Sequence, residues 1–137
     1  MTTEIFCKCG AVHLELRGAP LMQFYCHCDD CQAASGQPYV AVALFPAQAV
    51  TLTRGTLGSW TYKTMARHRC EQCGTTLMGE PPGLDFRGVR GDLLPPGLFK
   101  PEYHIHCRYA VRPMADGLPH YKQLPAQFGG SDEQVDW

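Results

Sequence analysis

Cys7-Lys8-Cys9-Gly10-Ala11-Val12-His13-Leu14-Glu15-Leu16-Arg17 is a turn that runs straight into a strand. Gly10 supplies the backbone freedom that a tight turn needs beside two thiols. Beyond it Val12, Leu14 and Leu16 alternate with His13, Glu15 and Arg17, the two-residue period of a half-buried β-strand. The pattern extends outward. Gly18-Ala19-Pro20 turns the chain, and residues 21–25 read as a second strand. Residues 39–45 are a continuous apolar run, expected as a strand buried on both faces. Residues 50–53, 60–65 and 75–78 are further strands, with Gly55 and Gly58 as breaks; residues 84–94 are weaker and 103–109 give the last strand. Only Gln32-Ala33-Ala34-Ser35-Gly36 reads as a helical turn, ended by its glycine. With eleven prolines, fourteen glycines and no long helical period, the expected fold class is all-β, built of short strands.

At 137 residues the chain fits one domain, expected over residues 1–124, with residues 125–137 as a loose C-terminal tail. A hydrophobic content of 45% is that of a globular protein. The net charge of −1 sets up no field that would draw in nucleic acid or an anionic membrane surface. No apolar run approaches the roughly 18–20 residues of a membrane span. The opening residues show no basic region followed by an apolar one, so a cytoplasmic location is expected.

That location bears on the eight cysteines. Seven fall in short-spaced groups, Cys7/Cys9, Cys26/Cys28/Cys31 and Cys70/Cys73, and Cys107 stands alone. A reducing compartment disfavours disulfides, and C-x-C neighbours meet disulfide geometry poorly, so metal ligation is the expected use. Thiolates hold Zn²⁺ at about 2.3 Å in a tetrahedron, and structural sites take four protein ligands. Cys7, Cys9, Cys70 and Cys73 make one complete set, clamping the N-terminal strand to a turn some sixty residues later. The alternative, a thioredoxin-like redox pair at Cys70/Cys73, lacks the βαβ surroundings it would need.

Cys26, Cys28 and Cys31 supply three ligands for a second zinc. Catalytic zinc sites commonly have three protein ligands and a fourth position for water or substrate. Three thiolates leave such a zinc a poor Lewis acid but a good holder of a substrate thiol as its thiolate. In the alternative, a fourth protein ligand closes the site: Cys107, His104, His106 or Asp29. His27 points away from its neighbours if the segment is extended. Arg67-His68-Arg69 is the one basic cluster, either a solvated strand end or a contact for an anionic substrate group. His13 and His120 carry no pattern of their own.

Cys7-x-Cys9-Gly10, Cys26-His27-Cys28-x-x-Cys31 with Ser35-Gly36, and Cys70-x-x-Cys73-Gly74 resemble the glutathione-dependent formaldehyde-activating enzyme family, which includes centromere protein V. Phe45-Pro46, Gly91-Asp92-Leu93, Phe99-Lys100-Pro101, His104-Ile105 and Asp116-Gly117-Leu118-Pro119 extend the likeness to about Gln123. The resemblance implies a β-tent fold clamped by zinc, with a structural zinc on Cys7, Cys9, Cys70 and Cys73 and a second zinc on Cys26, Cys28 and Cys31. It also implies carbon–sulfur lyase chemistry on S-hydroxymethylglutathione, with glutathione or another small thiol as partner. Arg69 departs from the family pattern, which has an aromatic residue there, and no tryptophan follows the His104-Ile105 strand. The rival reading is a non-catalytic zinc-binding module with two structural zincs, contacting a protein partner.

Overall fold

Strands carry most of the regular structure in the computed structural model, which describes residues Met1–Trp137. In chain order they begin with β1 (Thr2–Phe6), β2 (His13–Arg17), β3 (Met22–Cys26), β4 (Val40–Pro46) and β5 (Val50–Arg54). A single α-helix, α1 (Asp29–Ser35), lies between β3 and β4. Then come β6 (Leu57–Tyr62), β7 (Met65–Cys70), β8 (Thr76–Glu80), β9 (Phe86–Arg90) and β10 (Tyr103–Ile105). The chain is mostly β-sheet, as its alternation and turn residues require. It divides into two compact units: Met1–Met22 with Ala43–Phe99, and Gln23–Val42 with Lys100–Trp137.

In the first unit, β1, β2 and β5 form an antiparallel sheet in that order. Alternation on β2 buries Leu14 and Leu16 completely while His13 and Glu15 stay half-buried. These leucines join Ile5, Val12, Ala43, Phe45, Leu77 and Val89 in one apolar cluster. Each fully buried aliphatic side chain contributes about 1.5–3 kcal/mol of transfer free energy. Cys7 and Cys70 belong to the same cluster, so the first thiol of each pair is anchored in the core. A second antiparallel run in this unit pairs β6 with β7, β7 with β8 and β8 with β9. Gly58 does not break the chain. It lies inside β6, opposite Arg69, and the break falls at Lys63, whose φ of 57° turns β6 into β7. Residues 60–65, expected as one strand, are therefore the end of one strand and the start of the next.

In the second unit, β10 runs parallel to β3, with His104 opposite Tyr25 and Ile105 opposite Cys26. The backbone N–H of His27 extends this pairing by donating to Ile105 O at 3.1 Å. The strand expected to reach residue 109 stops at Ile105, because His106 takes a left-handed backbone (φ 55°) and residues 107–109 coil into a 3-10 turn. The helical turn expected over residues 32–36 is the end of α1, which begins at Asp29 and closes on Gly36 in the left-handed conformation. The chain end is not loose. Lys122 N–H donates to Glu133 O at 2.7 Å, Val135 N–H to His120 O at 2.9 Å, and Tyr121 bridges to Gln134.

Candidate metal centres

Two turns of the first unit meet through their thiols. After Cys7 the backbone closes by Gly10 N–H donating to Cys7 O at 3.0 Å; after Cys70 it closes by Gly74 N–H donating to Cys70 O at 2.9 Å. Gly10 and Gly74 both have positive φ, 79° and 75°, a conformation that costs a side-chain-bearing residue energy. Each pair thus ends in the same glycine knuckle. The Cys7 and Cys9 sulfurs are 3.5 Å apart, those of Cys9 and Cys70 are 3.7 Å apart, and all four sulfurs lie within 4.8 Å of one another. A tetrahedron with metal–sulfur bonds of about 2.3 Å has edges near ~3.8 Å, close to the two shortest of these separations, so the group could hold a metal ion. Backbone N–H groups of Val12, Gln72 and Cys73 point at the buried sulfurs of Cys7 and Cys70 at 3.3–3.5 Å, and the bond from Val12 helps to lower the Cys7 thiol. Hydrogen bonding to Thr75 pulls the Cys73 thiol down to about 5.

The second group stands where β3 gives way to α1. Cys26 ends the strand, Cys28 is the residue that caps the helix, and Cys31 lies in its first turn. Cys28 Sγ accepts the Cys31 N–H at 3.3 Å, filling the role usually taken by a serine or aspartate oxygen. Cys26 Sγ donates to Cys28 Sγ at 3.3 Å. Thiol hydrogen bonds from Cys26 and Cys31 draw Cys28 down to about 2, and the same contacts push Cys26 well up. Three sulfurs share one focus, and no further histidine, cysteine or carboxylate atom joins them within 4.8 Å. Of the residues weighed as a closing ligand, Cys107 is buried and its thiol is pushed up to about 12 by that burial. His104 is engaged elsewhere, as described below. The donor set, three sulfurs in contact, suits a thiophilic metal such as zinc. All eight cysteines are free, and both groups can hold a metal ion.

The family model of the glutathione-dependent formaldehyde-activating enzyme matches residues 2–109, a stretch that contains all seven clustered cysteines. The chain belongs to that family. A crystal structure of a protein from Rhodobacter sphaeroides shares the fold, with a TM-score of 0.55 and 21% sequence identity over 70% of this chain and 89% of that chain. No curated protein matches the sequence.

This formaldehyde-activating-enzyme-family chain also holds a histidine network that cysteine spacing does not reveal. His27 is fully buried and its Nε2 lies 2.8 Å from His104 Nδ1; His104 Nε2 lies 2.7 Å from one Asp116 oxygen, and His120 Nε2 lies 3.0 Å from the other. An ionised Asp116 accepts from both Nε2 atoms, which leaves His104 Nδ1 as an acceptor for His27 Nε2–H. The His27 Nδ1 atom is then a bare, buried acceptor without a partner. Burial holds His27 at about 4, and it lowers His104 despite the carboxylate beside it. The indole of Trp137 closes over His27, His104 and His120 with centroid distances of 5.2, 5.7 and 4.6 Å. His27 does point away from the sulfurs, as expected of its place in the chain; what it points at is set by β10 and the Asp116 turn. The available signal was Asp116 in Asp116-Gly117-Leu118-Pro119, whose Oδ1 also accepts the Leu118 N–H at 3.1 Å. The basic cluster differs from a solvated strand end too. Arg67 is only 6% exposed, and His68 is tied to Ser59 at 2.7 Å and Glu80 at 2.9 Å.

Proposed function

We propose that the chain is a zinc-dependent carbon–sulfur lyase of the β-tent type, acting on adducts of glutathione or another small thiol with an aldehyde, S-hydroxymethylglutathione being the type case. The family supplies the coarse activity. The observation that carries the finer reading is the three-sulfur group of Cys26, Cys28 and Cys31, to which the fold brings no fourth protein ligand.

Cys7, Cys9, Cys70 and Cys73 would hold one zinc as a clamp; Cys26, Cys28 and Cys31 would hold the other. A zinc held by three thiolates supplies a fourth position where a substrate thiol binds as its thiolate near neutral pH. The chain's own residues do the rest. Cys28 is fixed by its capping bond, and Gln32 holds the loops on either side by donating to His27 O at 2.9 Å and Tyr109 O at 2.8 Å. The Asp116–His104–His27 chain locks the peptide between Cys26 and Cys28, so the two sulfurs keep their spacing. In the cleavage direction the adduct's hydroxyl proton passes to solvent water, the carbonyl of formaldehyde forms as the carbon–sulfur bond breaks, and that electron pair leaves on sulfur as the thiolate. In the other direction the thiolate attacks the aldehyde carbon.

The test is zinc per chain by native mass spectrometry, with and without millimolar glutathione, alongside formaldehyde release from S-hydroxymethylglutathione. Two zincs, one of them released or adducted by glutathione, together with release above the uncatalysed rate, are the expected result. Two zincs indifferent to every thiol tested would sink the lyase reading and favour the non-catalytic module.

A further inference from the structure

We infer that Arg67, Trp60 and Arg69 form an anion site in the first unit, built to take a carboxylate. This inference is independent of either metal.

Arg67 sits in the middle of β7, opposite Trp60 on β6 and Gly79 on β8. Both of its terminal nitrogens, Nη1 and Nη2, are buried and have no hydrogen-bond partner. Trp60 Nε1 is in the same condition. The Arg67 and Arg69 guanidinium carbons each stand 5.8 Å from the centre of the Trp60 ring, so two cations adjoin one indole. A buried guanidinium is almost always paired, because an unpaired charge loses its hydration and gains nothing in return. Arg67 has no such pair. The carboxylate on the neighbouring strand is already committed: Glu80 accepts from His68 at 2.9 Å and pairs with Arg87 at 3.1 Å.

Arg67 and Trp60 together present three polar groups, and every one is a donor. Only a ligand that brings acceptors and negative charge completes them. The rigid fork of a guanidinium matches the two oxygens of a carboxylate, and the indole N–H adds a third bond beside it. Gly79 keeps the strand opposite free of a side chain; the nearest atom to where its Cβ would stand is Met65 Sδ at 3.5 Å. The Arg67 nitrogens are closed to solvent, so the ligand enters by moving a neighbour, and the unbranched thioether of Met65 is the side chain suited to swing aside.

The experiment follows the two indole N–H signals of the ¹⁵N-labelled, zinc-loaded protein, with Trp60 assigned through Trp60→Phe. Sodium succinate, sodium phosphate and sodium chloride are titrated in at matched ionic strength. The Trp60 signal moves saturably with succinate, the Trp137 signal does not, and Arg67→Met weakens the response at least tenfold. Without carboxylate, Arg67→Met melts above the wild type, because the unpaired buried charge is gone. Arg67→Lys keeps the charge and loses the fork; its succinate affinity falls at least tenfold. A Trp60 signal that ignores succinate, an undiminished response in Arg67→Lys, or an Arg67→Met protein that melts well below the wild type would each overturn the site. Saturation by phosphate but not succinate would overturn the carboxylate assignment.

Discussion

The two cysteine groups use the same atoms and differ in how the chain delivers them. The four-sulfur group joins two glycine-ended turns that are about sixty residues apart in sequence, with Cys7 and Cys70 buried in the main apolar cluster. The three-sulfur group comes from one six-residue stretch, held by a strand end, a helix cap and a chain of histidines. On the proposed reading, long-range closure would make the first a fold clamp, because metal bound there would contribute folding free energy. On the same reading, local delivery would free the second from that duty, because hydrogen bonds already hold its stretch of chain.

Breaking each group in turn sharpens the contrast. The largest effect is expected for Cys73→Ser. It removes a ligand from the clamp, and the protein should be insoluble or lack a cooperative transition by circular dichroism; a variant that melts like wild type would dismiss the clamp. Cys28→Ser comes next. Serine caps helices well, so α1 survives and stability changes by no more than ~1 kcal/mol, while one zinc and at least 100-fold of thiol-dependent activity are lost. Global unfolding of this variant would mean that the two groups are equivalent after all.

A smaller effect separates the units by pH. An unfolded histidine takes its proton near 6.5, whereas His27 waits until about 4 and His104 is likewise lowered, burial being the first cause for both. The unfolded state therefore binds protons first. This contribution costs nothing above pH 6.5 and lowers stability as pH falls toward 4. Trp137 emission, measured in a Trp60→Phe background, should be flat above pH 6.5 and change below it. Asp116→Asn removes a carboxylate that raises His104, so the native imidazole is lowered further, the unfolded state gains more from binding protons, and the acid midpoint should move to higher pH. A midpoint that stays or falls would mean that Asp116 does not act on this imidazole. The smallest effect is Lys63→Gly, at the left-handed turn between β6 and β7. It should raise the melting temperature slightly, by ~0.5–1 kcal/mol of relieved backbone strain, and leave thiol-dependent activity unchanged. A lower melting temperature would show that the lysine side chain outweighs its backbone cost.

How much of this was legible in the sequence follows the same divide. Local signals were read correctly: the alternation that buries Leu14 and Leu16 and the stop at Gly36 depend on neighbours within a few residues. Gly58 misled because a glycine inside a strand and a glycine in a turn look alike without the partner strand; here Arg69 sits opposite and the strand continues. His106 carries no mark of its left-handed backbone, so the last strand was read four residues too long. The histidine network was the least legible part. It joins His27 to His104 across 77 positions and then to Asp116, His120 and Trp137, and no periodicity connects them. The parallel pairing of β3 with β10 assembles it.

The interleaving of the two units also orders events in time. The chain is made from its N-terminus, and Cys31 emerges about forty residues before Cys73. The three-sulfur group is thus the first complete cysteine group on the ribosome, while Cys7 and Cys9 wait for Cys70 and Cys73. Yet the unit around those three sulfurs takes its larger part from Lys100–Trp137, so Trp137, made about a hundred residues after Cys31, is the one that closes over His27. The cysteine group that is complete first is the later of the two to acquire its walls. A nascent chain halted anywhere between would display three clustered thiols to the surrounding pool of metals and oxidants.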